Sequence, residues 1–181
     1  MANLVKSKRI GIITSLSVCI LVFLSYGFNC NHNENKRFLF WSPELELSKS
    51  DFMRTEPLLK LYSYSAEIVI RYSYEKDLNG IYKVTPAVDR YKSFMRAGHY
   101  SEALLSHEKY HANISSYIAN KMNKILLDTI LNSEEEFLNF LDYYKVKTKE
   151  QFYKYDMETN HGQNFEMQKY WEHKIDSLLM N

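Results

Sequence analysis

The chain has 181 residues, with 23 Lys and Arg against 22 Asp and Glu and a formal net charge of +1. That balance excludes the basic footprint of a nucleic-acid binder and gives no reason to expect a polyanionic partner. The two cysteines, Cys19 and Cys30, both lie near the N-terminus, so no disulfide can staple the rest of the chain. Any metal bound there must rely on His, Asp and Glu.

Lys6, Lys8 and Arg9 form a basic start, and residues 10–28 are uncharged and almost wholly apolar. This pattern reads as a bacterial export signal or an N-terminal membrane anchor, with the remainder of the chain outside. Ser25-Tyr26-Gly27 permits cleavage after Gly27. Cys30, followed by the polar run Asn31-His32-Asn33-Glu34-Asn35, offers lipidation instead. The expected organisation is a signal or anchor over 1–29, a polar tether over 30–36 and one domain over 37–181. The domain has about 150 residues, enough for a single core. The expected location is the cell envelope, either periplasm or outer surface, or the medium.

The domain begins with strand patterns. Phe38 to Trp41 reads as a short strand. Residues 68–74 partly alternate apolar and polar side chains, Asn79-Gly80 marks a turn, and residues 81–84 return as the hairpin partner. Pro86 argues against a central position for the end of that strand.

Helices follow. From Ser101 to Leu131 there is no Gly or Pro, and Leu104, His107, His111, Ile114, Ile118, Met122 and Ile125 recur at helical spacing. Ser101 is the expected N-cap, with Glu102 in the first turn and Gly98 just before it. Ser133-x-x-Glu136 and Thr148-x-x-Gln151 read as capping boxes, each opening a further helix. Asn164 caps a last helix containing Trp171 and Ile175. Strands first and helices later predict an α+β fold.

Within the long helix, His107-Glu108-Lys109-Tyr110-His111 spells H-E-x-x-H. Histidines at i and i+4 leave one helix face a turn apart and can reach a single Zn²⁺. Glu108 can then act as the general base of a metal-assisted hydrolysis. A catalytic zinc site needs a third protein ligand. The metzincin continuation is missing after His111. Glu134-Glu135-Glu136 lies at a gluzincin-like distance but is better read as a helix cap. Tyr155-Asp156-Met157-Glu158-Thr159-Asn160-His161-Gly162 concentrates two carboxylates and a histidine beside a helix-ending Gly.

At these residues the chain resembles a bacterial family of predicted secreted zinc peptidases, catalogued as domain of unknown function 922. The resemblance rests on Leu104 to His111, on Tyr155-Asp156-x-Glu158-Thr159-x-His161-Gly162, on Trp41-Ser42-Pro43 with Leu47 and Asp51-Phe52, and on Gln168-x-x-Trp171-x-x-x-Ile175. It implies a zincin-like domain, one zinc per chain, and a peptide or protein substrate. It implies His107, His111 and His161 as ligands, with Asp156 or Glu158 as substitutes or supports, and Glu108 as the catalytic carboxylate. Where the family has Phe-Asp after the second histidine, this chain has Ala112-Asn113, so a neutral amide replaces an acid. The alternative function is a zinc-binding envelope lipoprotein without catalysis, and a metal-free surface protein is a third reading. Tyr155 is a candidate for oxyanion stabilisation, though a core role fits it better.

Overall fold

The computed structural model describes residues 36–54 and 65–180; the apolar N-terminal segment, Cys30 and most of the polar tether lie outside the described residues. Strands β1 (Phe38–Phe40), β4 (Tyr82–Asp89) and β3 (Ile70–Lys76) form an antiparallel sheet in the order β1-β4-β3. Strands β2 (Ala66–Glu67) and β5 (Phe94–Met95) pair separately. Three helices follow: α1 (Glu102–Asp128), α2 (Glu134–Thr159) and α3 (Phe165–Leu179). The fold is α+β and zincin-like, with a β-rich first half and the H-E-x-x-H motif on α1.

The predicted hairpin forms, in the register Lys76↔Tyr82 to Ile70↔Val88. Asp77 Oδ1 accepts from Asn79 N and Ile81 N, both at 2.8 Å, and Gly80 takes φ +84° in the turn. The expectation for Pro86 is corrected: β4 continues through it to Asp89 and is the central strand. In a strand, a residue's N and O point to the same side. The Pro86 carbonyl accepts from Trp41 N at 2.8 Å, so its missing N–H faces the β1 side, just past the end of β1. The lost donor therefore falls where the ladder is already ending. Asp89, at the end of β4, is buried between Arg37 and Arg71 at 2.8 and 3.0 Å and ties the three strands together.

Helix α1 starts where predicted, with Ser101 Oγ accepting from Leu104 N at 3.1 Å. It is buried on more than one stripe, including Ala112, Ser115 and Ala119 beside Ile114, Ile118 and Met122. The sheet packs on one side of it and α2 and α3 on the other, so one apolar face is not enough. Near its end Leu126 is buried and Ile125 is 39% exposed, which shifts the predicted stripe by one residue. One core cluster joins Val84, Ile114, Met122, Phe137, Leu141, Tyr155 and Trp171. A second joins Trp41, Leu47, Ile68, Val88, Leu105 and Ala112 under the first turns of α1.

Ser133 caps α2 through Glu136 N at 3.2 Å, while Glu136 Oε2 accepts from Asn132 N. The second expected capping box does not form, because α2 runs unbroken through Thr148. The Thr148 hydroxyl bonds instead to the Tyr144 carbonyl, a turn back, and to Tyr72 Oη of β3, both at 2.8 Å. Asn164 caps α3 through Met167 N, as expected.

Candidate metal centre

Helix α1 presents His107 and His111 one turn apart, with ring centroids separated by 4.9 Å and planes nearly perpendicular. Helix α2 brings Asp156 to the same point three residues before its end. Asp156 Oδ1 accepts from His107 Nε2 at 3.1 Å and lies 2.9 Å from His111 Nε2. These are the three groups among the described residues whose donor atoms converge in a way that could hold a metal ion.

The other sequence-predicted residues divide around this point. Glu158 faces Trp171, accepting from its Nε1 at 2.8 Å, so it secures α3 against α2. His161 lies in the turn after α2, 42% exposed, with Nδ1 3.8 Å from Asp156 Oδ1, and it does not join the converging group. The third place that the resemblance implies for His161 is taken in the fold by Asp156. Residues ending an α-helix and residues in the following turn point differently, and His161, five residues further on, does not come as close as the last full turn brings Asp156. Glu136 is 20 residues before Asp156 in the same helix, roughly 30 Å away at 1.5 Å per residue, which removes the gluzincin-like acidic run.

Each ring is supported from behind. His107 Nδ1 bonds Gln168 Oε1 at 3.1 Å, and Gln168 Nε2 donates to Tyr155 Oη at 2.7 Å. Tyr155 is fully buried, stacks on His107 at 4.6 Å and reaches the His107 carbonyl at 3.2 Å. Phe152 meets His111 edge-on at 4.7 Å. His111 Nδ1 is buried without a hydrogen-bond partner in the fold. Gly162 presses on His107: a Cβ there would lie 3.0 Å from His107 Cβ and Cγ, and its φ is +77°. Tyr155 is thus a core tyrosine and not an oxyanion donor. Gln168 appears in the sequence only through the resemblance, since nothing in its helical spacing announces a contact with His107.

Asn113 also finds its reason in the fold. Its Oδ1 accepts from Trp41 Nε1 at 2.9 Å, and both side chains are buried. A neutral amide suffices to hold an indole N–H.

Glu108 projects from α1 towards the β2–β3 connection, where its Oε2 accepts from Ile68 N at 3.0 Å. Burial pushes its pKa up, against the pull of His111, His107 and the Ile68 N–H. Burial opposes the charged form of His107, but the Asp156 carboxylate, Glu108 and Gln168 outweigh it and hold its pKa above the imidazole norm. Burial likewise disfavours the Asp156 anion, and the two imidazoles overcome it, so its pKa falls well below the carboxylate range. A cleft of about 710 Å³ opens on this group, lined by Ile68, Leu104, His107, Glu108, His111, Phe152, Asp156, His161 and Phe165 among others.

No family model, curated protein or solved structure matches the chain.

The donor set nonetheless fits zinc. Four ligands about 2.0–2.1 Å from Zn²⁺ stand about 3.3 Å apart along a tetrahedron's edges. The 2.9 and 3.1 Å separations on Asp156 Oδ1 are within a few tenths of an ångström of that. Two imidazoles and a carboxylate suit zinc, and a cation in place of two N–H protons would satisfy the same carboxylate. His107-Glu108-x-x-His111 with Asp156, open to a cleft, is a zinc-peptidase active-site arrangement. It has the parts of a hydrolase: a metal-binding triad, a buried carboxylate beside it, and room for a peptide.

Proposed function

We propose that the protein is an exported zinc peptidase of the bacterial cell envelope, related to the domain of unknown function 922 family. The carrying observation is the convergence of His107, His111 and Asp156 beside buried Glu108 on an open cleft. The family reading rests on the residues themselves. Of the other matching positions, Gln168 and Trp171 each bond a side chain of the two motif segments, His107 and Glu158, and Trp41 bonds Asn113, two residues after the first segment.

In this reading His107, His111 and Asp156 hold one zinc per chain. Zinc bound there supplies Lewis acidity towards a peptide carbonyl and makes water a nucleophile near neutral pH. Glu108 takes a proton from the attacking water and gives it to the leaving amine. Its raised pKa suits a group that must both accept and release a proton, and the Ile68 N–H keeps it aimed. Gln168 orients His107 through Nδ1, and Tyr155 and Phe152 fix the two ring planes. The substrate is a peptide or protein met outside the cytoplasm, with no role for nucleic acid. The apolar segment over 10–28 or a lipidated Cys30 carries the chain to the membrane. A closed structural zinc site would need a fourth protein ligand, and Glu158, one acid near enough in sequence, is engaged by Trp171.

The test is Glu108→Gln in the purified domain, assayed on fluorescein-labelled casein beside zinc content. The variant should keep zinc and lose hydrolysis by about 10²–10⁴-fold or more, the share of a general base. Hydrolysis at the wild-type rate would refute the assignment of Glu108.

A further inference from the structure

The charge balance of the whole chain hides a local imbalance that the fold creates. At one end of the sheet, Arg37 (just before β1), Arg71 (on β3) and the turn after β4 gather around Asp89. Arg37 and Arg71 both bond its carboxylate, at 2.8 and 3.0 Å, and Lys92 acts on it through space. The segment from the helical turn Lys49–Asp51 to Arg54 lies alongside. Met53 N donates to the Arg90 carbonyl at 2.9 Å, Arg54 N to the Ser93 carbonyl at 3.0 Å, and Arg90 N to the Arg37 carbonyl at 2.9 Å. Arg90 Nε meets Asp51 at 3.0 Å. Six cations, Arg37, Lys49, Arg54, Arg71, Arg90 and Lys92, are thus set against two acids, Asp51 and Asp89, and both acids are buried.

Pairing does not cancel this charge. Asp51 offsets Arg90, and Asp89 offsets one of its two arginines. Lys49, Arg54 and Lys92 are exposed, and no ion pair among the described residues involves them. Met53 and Tyr91, 44% and 49% exposed, sit between these segments. None of the six cations lines the cleft, so the charge is not arranged to grip a substrate at the metal centre.

This end of the sheet is also where the chain enters the fold. Only residues 29–36 separate the apolar run from Arg37. Fully extended, they reach about 30 Å, and the stretch from Cys30 reaches about 25 Å. A short tether holds a domain at an effective concentration near the millimolar range beside the surface that anchors it. Clustered Lys and Arg next to a membrane segment are drawn to anionic phospholipid heads, and Tyr suits the interface beside them. We propose that this corner docks on the anionic phospholipid surface of the membrane that holds the chain's own N-terminus. This rests on the membrane attachment proposed above and not on the zinc chemistry.

The experiment uses the full chain in vesicles of phosphatidylglycerol or of phosphatidylcholine, each with brominated acyl chains that quench a nearby Trp. Tyr91→Trp is the probe. Tyr170→Trp, 54% exposed on α3, which packs on α1 and α2, is the control. Trp41 and Trp171 are buried and give both variants the same background. Tyr91→Trp should be quenched in phosphatidylglycerol and not in phosphatidylcholine, and Tyr170→Trp in neither. The quenching should vanish at about 1 M salt, where the screening length falls to about 3 Å. Each cation at such a surface strengthens binding about fivefold, so adding Lys49→Gln, Arg54→Gln and Lys92→Gln together should lower the docked-to-free ratio about 10²-fold. Lys49→Arg with Lys92→Arg keeps the charge and should keep the quenching, which separates lost charge from lost folding. Equal quenching in both lipids, or quenching undiminished in the triple Gln variant, overturns the inference. So does an unquenched Tyr91→Trp in chains that float with phosphatidylglycerol vesicles at high salt, and there the membrane attachment stands. A corner that ignores both lipids but retains the chain on heparin through the same three side chains is a polyanion site, which also overturns it. Chains that float with neither vesicle at high salt remove the membrane attachment and this inference with it, while casein hydrolysis reports on the peptidase reading separately.

Discussion

Asp156→Asn is the substitution that most directly weighs the metal centre. Asn keeps the size of the side chain and one oxygen, but not the charge that two imidazoles share at 2.9 and 3.1 Å. Four-ligand structural zinc sites are stabilised by about 10–16 kcal/mol, so one ligand is worth roughly 3–4 kcal/mol. At 1.4 kcal/mol per factor of ten, that predicts a loss of about 10²–10³ in zinc affinity. The loss should be near the top of this range, because the carboxylate is only 26% exposed and screened little by water. The assay is competition against a chromogenic chelator at fixed pH, with His161→Ala measured in parallel. Asp156→Asn within about twofold of wild type, beside a large loss in His161→Ala, would refute the ligand set derived from the fold.

Gln168→Leu removes the partner of His107 Nδ1 and should weaken zinc about 10–100-fold in the same competition assay, with Glu108 untouched. Gly162→Ala should cost about 1–2 kcal/mol from its left-handed backbone alone, and more from a Cβ placed 3.0 Å from the His107 ring, as read by denaturant unfolding. An unchanged midpoint would mean that the turn does not press on His107. The His107 and Asp156 shifts favour the metal-free protein between about pH 3.8 and 6.5, and the raised Glu108 pKa adds a loss of stability as pH rises above 4.5 and through its folded value, so stability should peak in the acidic part of that window. The raised His107 pKa contributes stability that is complete below 6.5 and is lost as pH rises through the folded value. The lowered Asp156 pKa contributes stability that is complete above 3.8 and is lost as pH falls through its folded value. Calorimetry of the chelated protein at pH 5.5 and 8 tests this, and a higher melting temperature at pH 8 would contradict it.

Features governed by neighbouring residues were legible in the chain. The Asn79-Gly80 turn, the Ser101 and Asn164 caps and the H-E-x-x-H spacing all follow from local backbone geometry, and each forms as read. Fold class followed as well, because the switch from alternating to helical periodicity is itself local. Thr148 misled for the opposite reason. A capping pattern competes with helix continuation, and burial against Tyr72 settled it in favour of the helix. Pro86 misled because its tolerance depends on where a different strand, β1, comes to an end.

The metal centre divides along the same line. One helix carries His107, Glu108 and His111, so 3.6 residues per turn were enough to place them together from the sequence alone. The third donor comes from a helix 45 residues later, and its identity depends on how far α2 extends, how it crosses α1 and where the chain turns left-handed. The sequence could narrow that choice to a few polar residues around Gly162. Only tertiary packing, which sets the distance between two helices to within an ångström, could bring Asp156 onto both imidazoles and leave His161 at the edge of the cleft.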